Sequence, residues 1–330
     1  MNRPLPDAGA ELPPDVAADA FARIFDGLAD DHTLADFLVA LADRGETVNE
    51  IVAAASMLRT RVSNRLYYPD AIDVCGTGGD GKHSLNVSTA VAIVVAACGV
   101  KVAKHGNRAA SSASGAADVL AELGIPDLPF DRLGPCLEST GITFLHAARH
   151  HPAMARVAPV RRALGRRTIF NLLGPLANPA GVKRQLVGVY DQARALDMAH
   201  ALAALGSERA MIVHGVGYDE LTVTGDSNVV RHGFENVAAF GADIVSPESA
   251  GVGRHSEAAL AGGDPAHNAA RLRALLAGEP GAYHDIVVLN AAAALTVARD
   301  EAMPIAARSA RDALASGAAA DTLARWSAFR

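Results

Sequence analysis

The chain has 330 residues, half of them hydrophobic and a fifth charged, and carries a formal net charge of -6. That balance excludes a global basic field for nucleic acid, and an aromatic content of 5% argues against stacking platforms for single strands. The three cysteines, Cys75, Cys98 and Cys136, form neither a CxxC pair nor a disulfide framework, which fits a reducing cytoplasm. The longest apolar run, Ala90 to Val100, is too short to span a bilayer, and the amino terminus lacks an apolar signal core. The expectation is a cytoplasmic protein with no membrane and no nucleic-acid partner.

In chain order, residues 1–15, rich in proline and acid, read as a disordered lead. Phe21, Ile24, Phe25 and Leu28 recur at helical spacing, as do Leu34, Phe37, Leu38 and Leu41. A third helix is expected from Glu46 to about Leu66, and Pro69 closes a helical domain over residues 16–68. From Ala71 strands and helices alternate, which predicts an α/β domain over residues 69–330 with a central, mostly parallel sheet flanked by helices. AIDVCG, VKVAKHG, GITFLHA, RQLVGVY and RAMIVHG read as strands, ELTVTGDSNVVRHGF as a hairpin, and Pro265 to Ala328 as a run of helices.

DVCGTGGDGKHSLNVSTA, Asp73 to Ala90, places Gly76, Gly78, Gly79 and Gly81 between a strand and a helix. The letters satisfy GxGxxG, but no acid follows at the distance a dinucleotide ribose needs. His83 stands where a Walker A loop needs Ser or Thr. What both motifs share survives: bare backbone N–H groups and a helix N-terminus that attract an anion. A tight turn needs fewer glycines, so phosphate binding is the better reading. Asp80 suits a ribose hydroxyl, or magnesium carried in by a diphosphate.

KHGNRAASSASGAADVL sets Lys104, Asn107, Ser111 and Ser112 after a neighbouring strand, a second place for phosphate. Asp219 and Glu220, in a loop after RAMIVHG, can converge on a hard cation. Arg161, Arg162, Arg166 and Arg167 cluster in and after one helix. Arg161 could fork onto a carboxylate, although such arginines are also common on solvated helix ends.

GTGGDG, NVST, KHGNRAASS, SGAADVL, HPAM, VRRALG, RTIFNLLGPLANPAG, GGDPAHNA and NAAAAL occur here in the order found in anthranilate phosphoribosyltransferases, and the resemblance covers the chain from about Phe21. It implies the nucleoside phosphorylase/phosphoribosyltransferase class III type of fold, with a segment near residues 165–185 packing on the helical domain. It implies transfer of phosphoribose from 5-phosphoribosyl 1-diphosphate (PRPP) to the amine of anthranilate in tryptophan biosynthesis, two magnesium ions per subunit, and a homodimer joined through the helical domain. By motif, Gly76, Thr77, Gly79, Asp80, Ser84, Asn86, Ser88, Thr89, Lys104, Asn107 and Ser112 would bind PRPP. Ser88, Asp219 and Glu220 would bind the metal. Gly76, His105, Asn107, His151 and Arg161 would bind anthranilate, with His105 the nearest proton acceptor and Arg161 on the carboxylate. The chain departs from the family at His146, Ala148 and His150, positions expected to border the access path of the aromatic substrate. Ser84 and Tyr218 are milder departures.

A pyrimidine nucleoside phosphorylase, the nearest rival, should carry a longer glycine- and threonine-rich signature and lack the acidic pair. A nucleic-acid-binding relative would need a basic surface.

Overall fold

The computed structural model describes residues 4–108, 114–235 and 239–330. Three helices come first: α1 (Pro14–Phe25), α2 (Asp31–Arg44) and α3 (Val48–Thr60). The carboxylate of Asp30 caps α2 by accepting from Thr33 N, and Thr47 and Glu50 form a capping box on α3. The lead expected to be disordered is instead tied to these helices, with Ala8 and Leu12 buried. Glu50 is the reason: paired with Arg44 at 2.6 Å, its Oε1 also accepts the Leu12 N–H at 3.0 Å. Helix α3 stops short of Leu66 because the chain turns away to pair elsewhere. Asn64 adopts a left-handed φ of 58°, Ser63 N donates to His150 O, and Leu66 N and Tyr68 N donate to Pro179 O and Ala180 O.

The second region runs β1 (Ile72–Gly76), α4 (Val87–Ala97), β2 (Val102–Gly106), α5 (Ala116–Glu122), α6 (Phe130–Thr140) and β3 (Ile142–His146). It continues through α7 (Ala147–His150), α8 (Met154–Leu164), α9 (Leu173–Leu176), β4 (Arg184–Gly188), α10 (Ala195–Ala204) and β5 (Arg209–His214). It closes with β6 (Ser227–His232), β7 (Gly241–Val245), α11 (Pro265–Leu276), α12 (Ala282–Arg299), α13 (Met303–Ala315) and α14 (Ala318–Ala328). Among the described residues the strands form one sheet in the order β3-β2-β1-β4-β5-β6-β7. The five strands from β3 to β5 are parallel, and β6 runs antiparallel to both β5 and β7. From β1 the chain moves outward to β2 and β3, then returns to the other side of β1 as β4. The carboxyl ends of β1 and β4 therefore flank a topological switch point, where open α/β sheets bind ligands.

The hairpin expected from Glu220 to Phe234 does not form; only its second half is a strand. Side chains claim the backbone of the first half. Asn290 of α12 accepts from Leu221 N at 3.0 Å and donates to Leu221 O at 2.8 Å, and Ser227 Oγ accepts from Thr222 N.

One core lies between the sheet and α4, α12, α13 and α14, and the almost wholly buried α4 is apolar nearly all round, as a sandwiched helix must be. The other joins α1–α3 to α8, α10 and the opposite sheet face, and includes Ile169, Phe170, Leu172 and Leu173 of the segment before β4. Phe25 and Phe170 meet edge to face at 6.0 Å. Arg59 spans the two regions, donating from α3 to Leu176 O at 2.6 Å and Leu205 O at 2.9 Å. Among the described residues no helix is long and apolar enough to cross a membrane.

Candidate active site

Strands β1 and β4 end on paired glycines, Gly76 opposite Gly188. A Cβ on Gly76 would run into the Asp219 carboxylate, and one on Gly188 into the Asp219 backbone. These two bare positions let the Asp219 loop descend onto the strand ends. The glycine loop then leaves β1 with Gly78, Gly79 and Gly81 left-handed, at φ of 66°, 76° and 75°, a backbone that side chains rarely tolerate. Gly78 N donates to Asp219 Oδ2 at 2.7 Å, Thr77 N to Gly188 O at 2.9 Å, and Thr77 Oγ1 accepts from Tyr190 N at 3.0 Å. Asp80 Oδ1 accepts from Lys82 N, and Ser84 Oγ lies 3.5 Å from Glu220 Oε1.

Helix α4 begins at the far side of this loop. Its N-cap, Asn86, spends its side chain on Asn268 (2.8 Å) and Ser114, not on its own helix. That leaves the first-turn amides without a side-chain cap. Ser88 Oγ faces Lys104, whose fully buried Nζ donates to it at 3.1 Å and to Val74 O at 2.7 Å. Burial pulls the Lys104 pKa down, and the charges of Asp73, Asp219 and Glu220 oppose that. Thr89 is buried and its hydroxyl lacks a hydrogen-bond partner among the described residues. Asn107 is exposed, its Oδ1 accepting from Arg108 N. Ser111 and Ser112 lie outside the described residues.

Asp219 and Glu220 do converge in one recess, which Ser88, Gly188 and Asn290 also line. Burial raises both carboxyl pKa values; Asp80 raises Asp219 further, and Asp219 and Asp80 raise Glu220. Among the described residues neither acid forms an ion pair, and buried Lys104 offsets their charge only in part, so hard oxygen donors gather here. That donor set fits magnesium. No cluster of three His, Cys, Asp or Glu side chains among the described residues is arranged to hold a metal alone. Substrate oxygens would have to complete the coordination, as they commonly do for this ion.

His105 follows Lys104 on β2 and faces the other way. Its backbone N–H donates to buried Asp73 at 3.1 Å, and Nδ1 lies 3.1 Å from Gly174 O. A carbonyl only accepts, so Nδ1 carries the proton and Nε2 is left as an acceptor without a partner. The His151 ring meets it edge to face at 5.2 Å, and both His151 nitrogens also lack well-aligned partners. Burial, reinforced by neighbouring histidines, pulls His105 down to about 3 and His151 to about 4. Both are neutral at physiological pH. Arg161 of α8 lies 5.7 Å over the Phe170 ring with no ion pair among the described residues, and burial lowers its pKa.

His146 and His150 pack nearby, His150 close enough to pull His105 and His151 down further. They line a separate small pocket with Phe130, Leu133 and Phe144; His146 packs on Phe144, and His150 on Phe130 with its Nδ1 at Ser63 O. Sequence reading also passed over Gly188, Asn290, Asp73 and Asn178. Asn178 bonds Asp73 at 2.8 Å and Ala103 O at 2.9 Å beneath His105. The glycine ending RQLVGVY as a strand was the one available signal among them.

A glycine loop, an acid pair and a buried lysine at a switch point, with a helical domain alongside, define a transferase of anionic sugar donors. Sequence profiles agree: residues 68–320 match the glycosyl transferase family α/β domain, and residues 8–62 its helical bundle domain. An anthranilate phosphoribosyltransferase of Novosphingobium aromaticivorans is 52% identical over 301 residues, covering 89% of each chain. The crystal structure of the Thermus thermophilus enzyme of that name superposes with a TM-score of 0.92 at 42% identity, over 98% of this chain and 99% of that one. The Saccharomyces cerevisiae enzyme in complex with PRPP and Mg gives a TM-score of 0.85 at 27% identity, over 96% and 92%. The chain belongs to the anthranilate phosphoribosyltransferase family.

Proposed function

We propose that the chain transfers the phosphoribosyl group of PRPP to the amine of anthranilate, giving N-(5-phosphoribosyl)anthranilate and diphosphate in tryptophan biosynthesis, with magnesium. The observation that carries this is the opposition across β2. Lys104 lies on one side, donating to Ser88 of the recess that holds the acid pair, while His105 lies buried on the other, its ring against that of His151.

The glycine loop (Gly76, Thr77, Gly79, Asp80), with Ser84, Asn86, Ser88, Thr89, Lys104, Asn107 and Ser112, would receive PRPP. Asp219, Glu220 and Ser88 would hold magnesium, which when bound neutralises diphosphate as a leaving group. Lys104 and the loop amides stabilise the same negative charge as the C1–O bond breaks. Gly76, His105, Asn107 and His151 orient anthranilate so that its nitrogen forms the bond to ribose C1, and Arg161 binds the carboxylate. The amine proton then leaves, and His105 Nε2 is the free acceptor facing that side. An anilinium nitrogen is acidic enough that a neutral, weakly basic imidazole suffices. Positioning supplies much of the rate. Two ions per subunit, a homodimer through the helical domain and a cytoplasmic location complete the reading on the strength of the family resemblance.

Loss of anthranilate fluorescence tests it. Consumption should require both PRPP and magnesium, and Arg161→Ala should lower kcat/KM for anthranilate by about tenfold to hundredfold, the worth of a charged hydrogen bond. No consumption by folded wild type would sink the acceptor assignment.

A further inference from the structure

Four arginines cluster in and just after α8. Arg161 lies over Phe170, Arg162 is exposed, and Arg166 pairs with Asp43 at 2.6 Å. Arg167 alone reaches across to the α/β region. Its guanidinium stacks 4.2 Å above the Tyr190 ring and donates to the carbonyl of Gly79, in the middle of the glycine loop. It has no carboxylate partner among the described residues.

We infer that Arg167 is a positioning residue that clasps the donor loop from the helical side, with Tyr190 as its platform. At Gly78, Gly79 and Gly81 the loop has no side chains to hold it and loses much conformational entropy when ordered. Its ties must come from outside. Tyr190 supplies two of them, its backbone N–H to Thr77 Oγ1 and its ring to Arg167. The guanidinium–ring distance is well inside the range of cation–π attraction. Arg167 is anchored in turn by the next residues: Thr168 N donates to Asn171 Oδ1 at 3.1 Å, and Ile169 and Phe170 are buried in the core shared with α1–α3. The clasp thereby links the donor loop to the helical domain, and it puts an unpaired cation beside a loop meant for diphosphate. This deepens the proposed function, since the loop's ligand rests on that reading.

The test compares wild type with Arg167→Met, Arg167→Lys and Tyr190→Leu. Calorimetry with PRPP and magnesium, in the absence of acceptor, should show affinity weakened about tenfold in Arg167→Met and Tyr190→Leu. Arg167→Lys should fall between, because an ammonium neither forks nor stacks as a guanidinium does. Hydrogen exchange in the peptide spanning residues 77–84 of the substrate-free enzyme should quicken severalfold in Arg167→Met, with KM for anthranilate and Tm unchanged. Unchanged exchange or unchanged PRPP affinity would overturn the clasp. Wild type that binds PRPP without consuming anthranilate would instead overturn the acceptor assignment, and the exchange comparison would still decide the role of Arg167.

Discussion

Lys104 and His105 are neighbours on β2, yet one reaches Ser88 at the acid-lined recess and the other packs its ring against His151. Successive strand residues face opposite sides of a sheet, so a single register step separates the proposed donor side from the acceptor side. The two sides are built differently. The donor side relies on absent side chains: glycines that bend the loop and glycines that admit Asp219. The acceptor side relies on side chains whose hydrogen-bonding capacity is left unspent, as at His105 Nε2 and both His151 nitrogens. A diphosphate needs many converging donors, whereas a neutral aromatic amine needs shape and a free acceptor.

Glycine substitution should separate the two sides most sharply. Gly188→Ala sets a methyl against the Asp219 backbone, which cannot swing aside like a side-chain tip. We expect kcat/KM for PRPP to fall by about a hundredfold or more and Tm to drop, because the strand end or the acid loop must shift. Gly174→Ala, beside His105 on the acceptor side, meets nothing within 4 Å. It should leave PRPP kinetics within about twofold of wild type. Steady-state kinetics with each substrate varied in turn would check both; equal damage from the two alanines would erase the distinction.

The parts legible in the sequence were those coded locally. The glycine loop, Lys104 beside His105, and the Asp219–Glu220 pair each sit at a strand end that the hydrophobic pattern already marks. What was missed depends on partners far away in the chain. Nothing near Gly188 says that Asp219 will lie on it, and nothing near Arg167 points to Gly79. Leu221 and Thr222 have strand-like composition, but Asn290 and Ser227 take their backbone hydrogen bonds. The lead looked disordered by composition, yet one surplus acceptor on Glu50 fixes it.

Acid should strain the acceptor side. His105 and His151 have folded pKa values of about 3 and 4, below the ordinary 6.5, so below pH 6.5 the unfolded chain binds more protons than the folded one. Their neutral burial is therefore without penalty above that value, and stability is lost as pH falls toward the folded values. Each histidine can steepen the loss by up to about 1.4 kcal/mol per pH unit in that window. Thermal unfolding between pH 7 and pH 4.5 should show a shallower decline in the double variant His105→Gln, His151→Gln. Parallel curves would mean that these rings are not held neutral.

The smallest effect belongs to His146→Phe. The ring lies 6.0 Å from Phe144, its Nδ1 is buried without a well-aligned partner, and burial lowers its pKa. A phenylalanine would keep the edge-to-face contact and remove the unsatisfied nitrogen, so stability should hold or rise by up to about 1 kcal/mol. Because this side chain lines a pocket to which neither His105 nor His151 contributes, KM for anthranilate should stay within about twofold of wild type. Denaturant unfolding and anthranilate kinetics measure the two halves separately. A change in anthranilate KM at unchanged stability would join the His146 pocket to the acceptor side after all, and the division made by β2 would then end one strand short of the sheet edge.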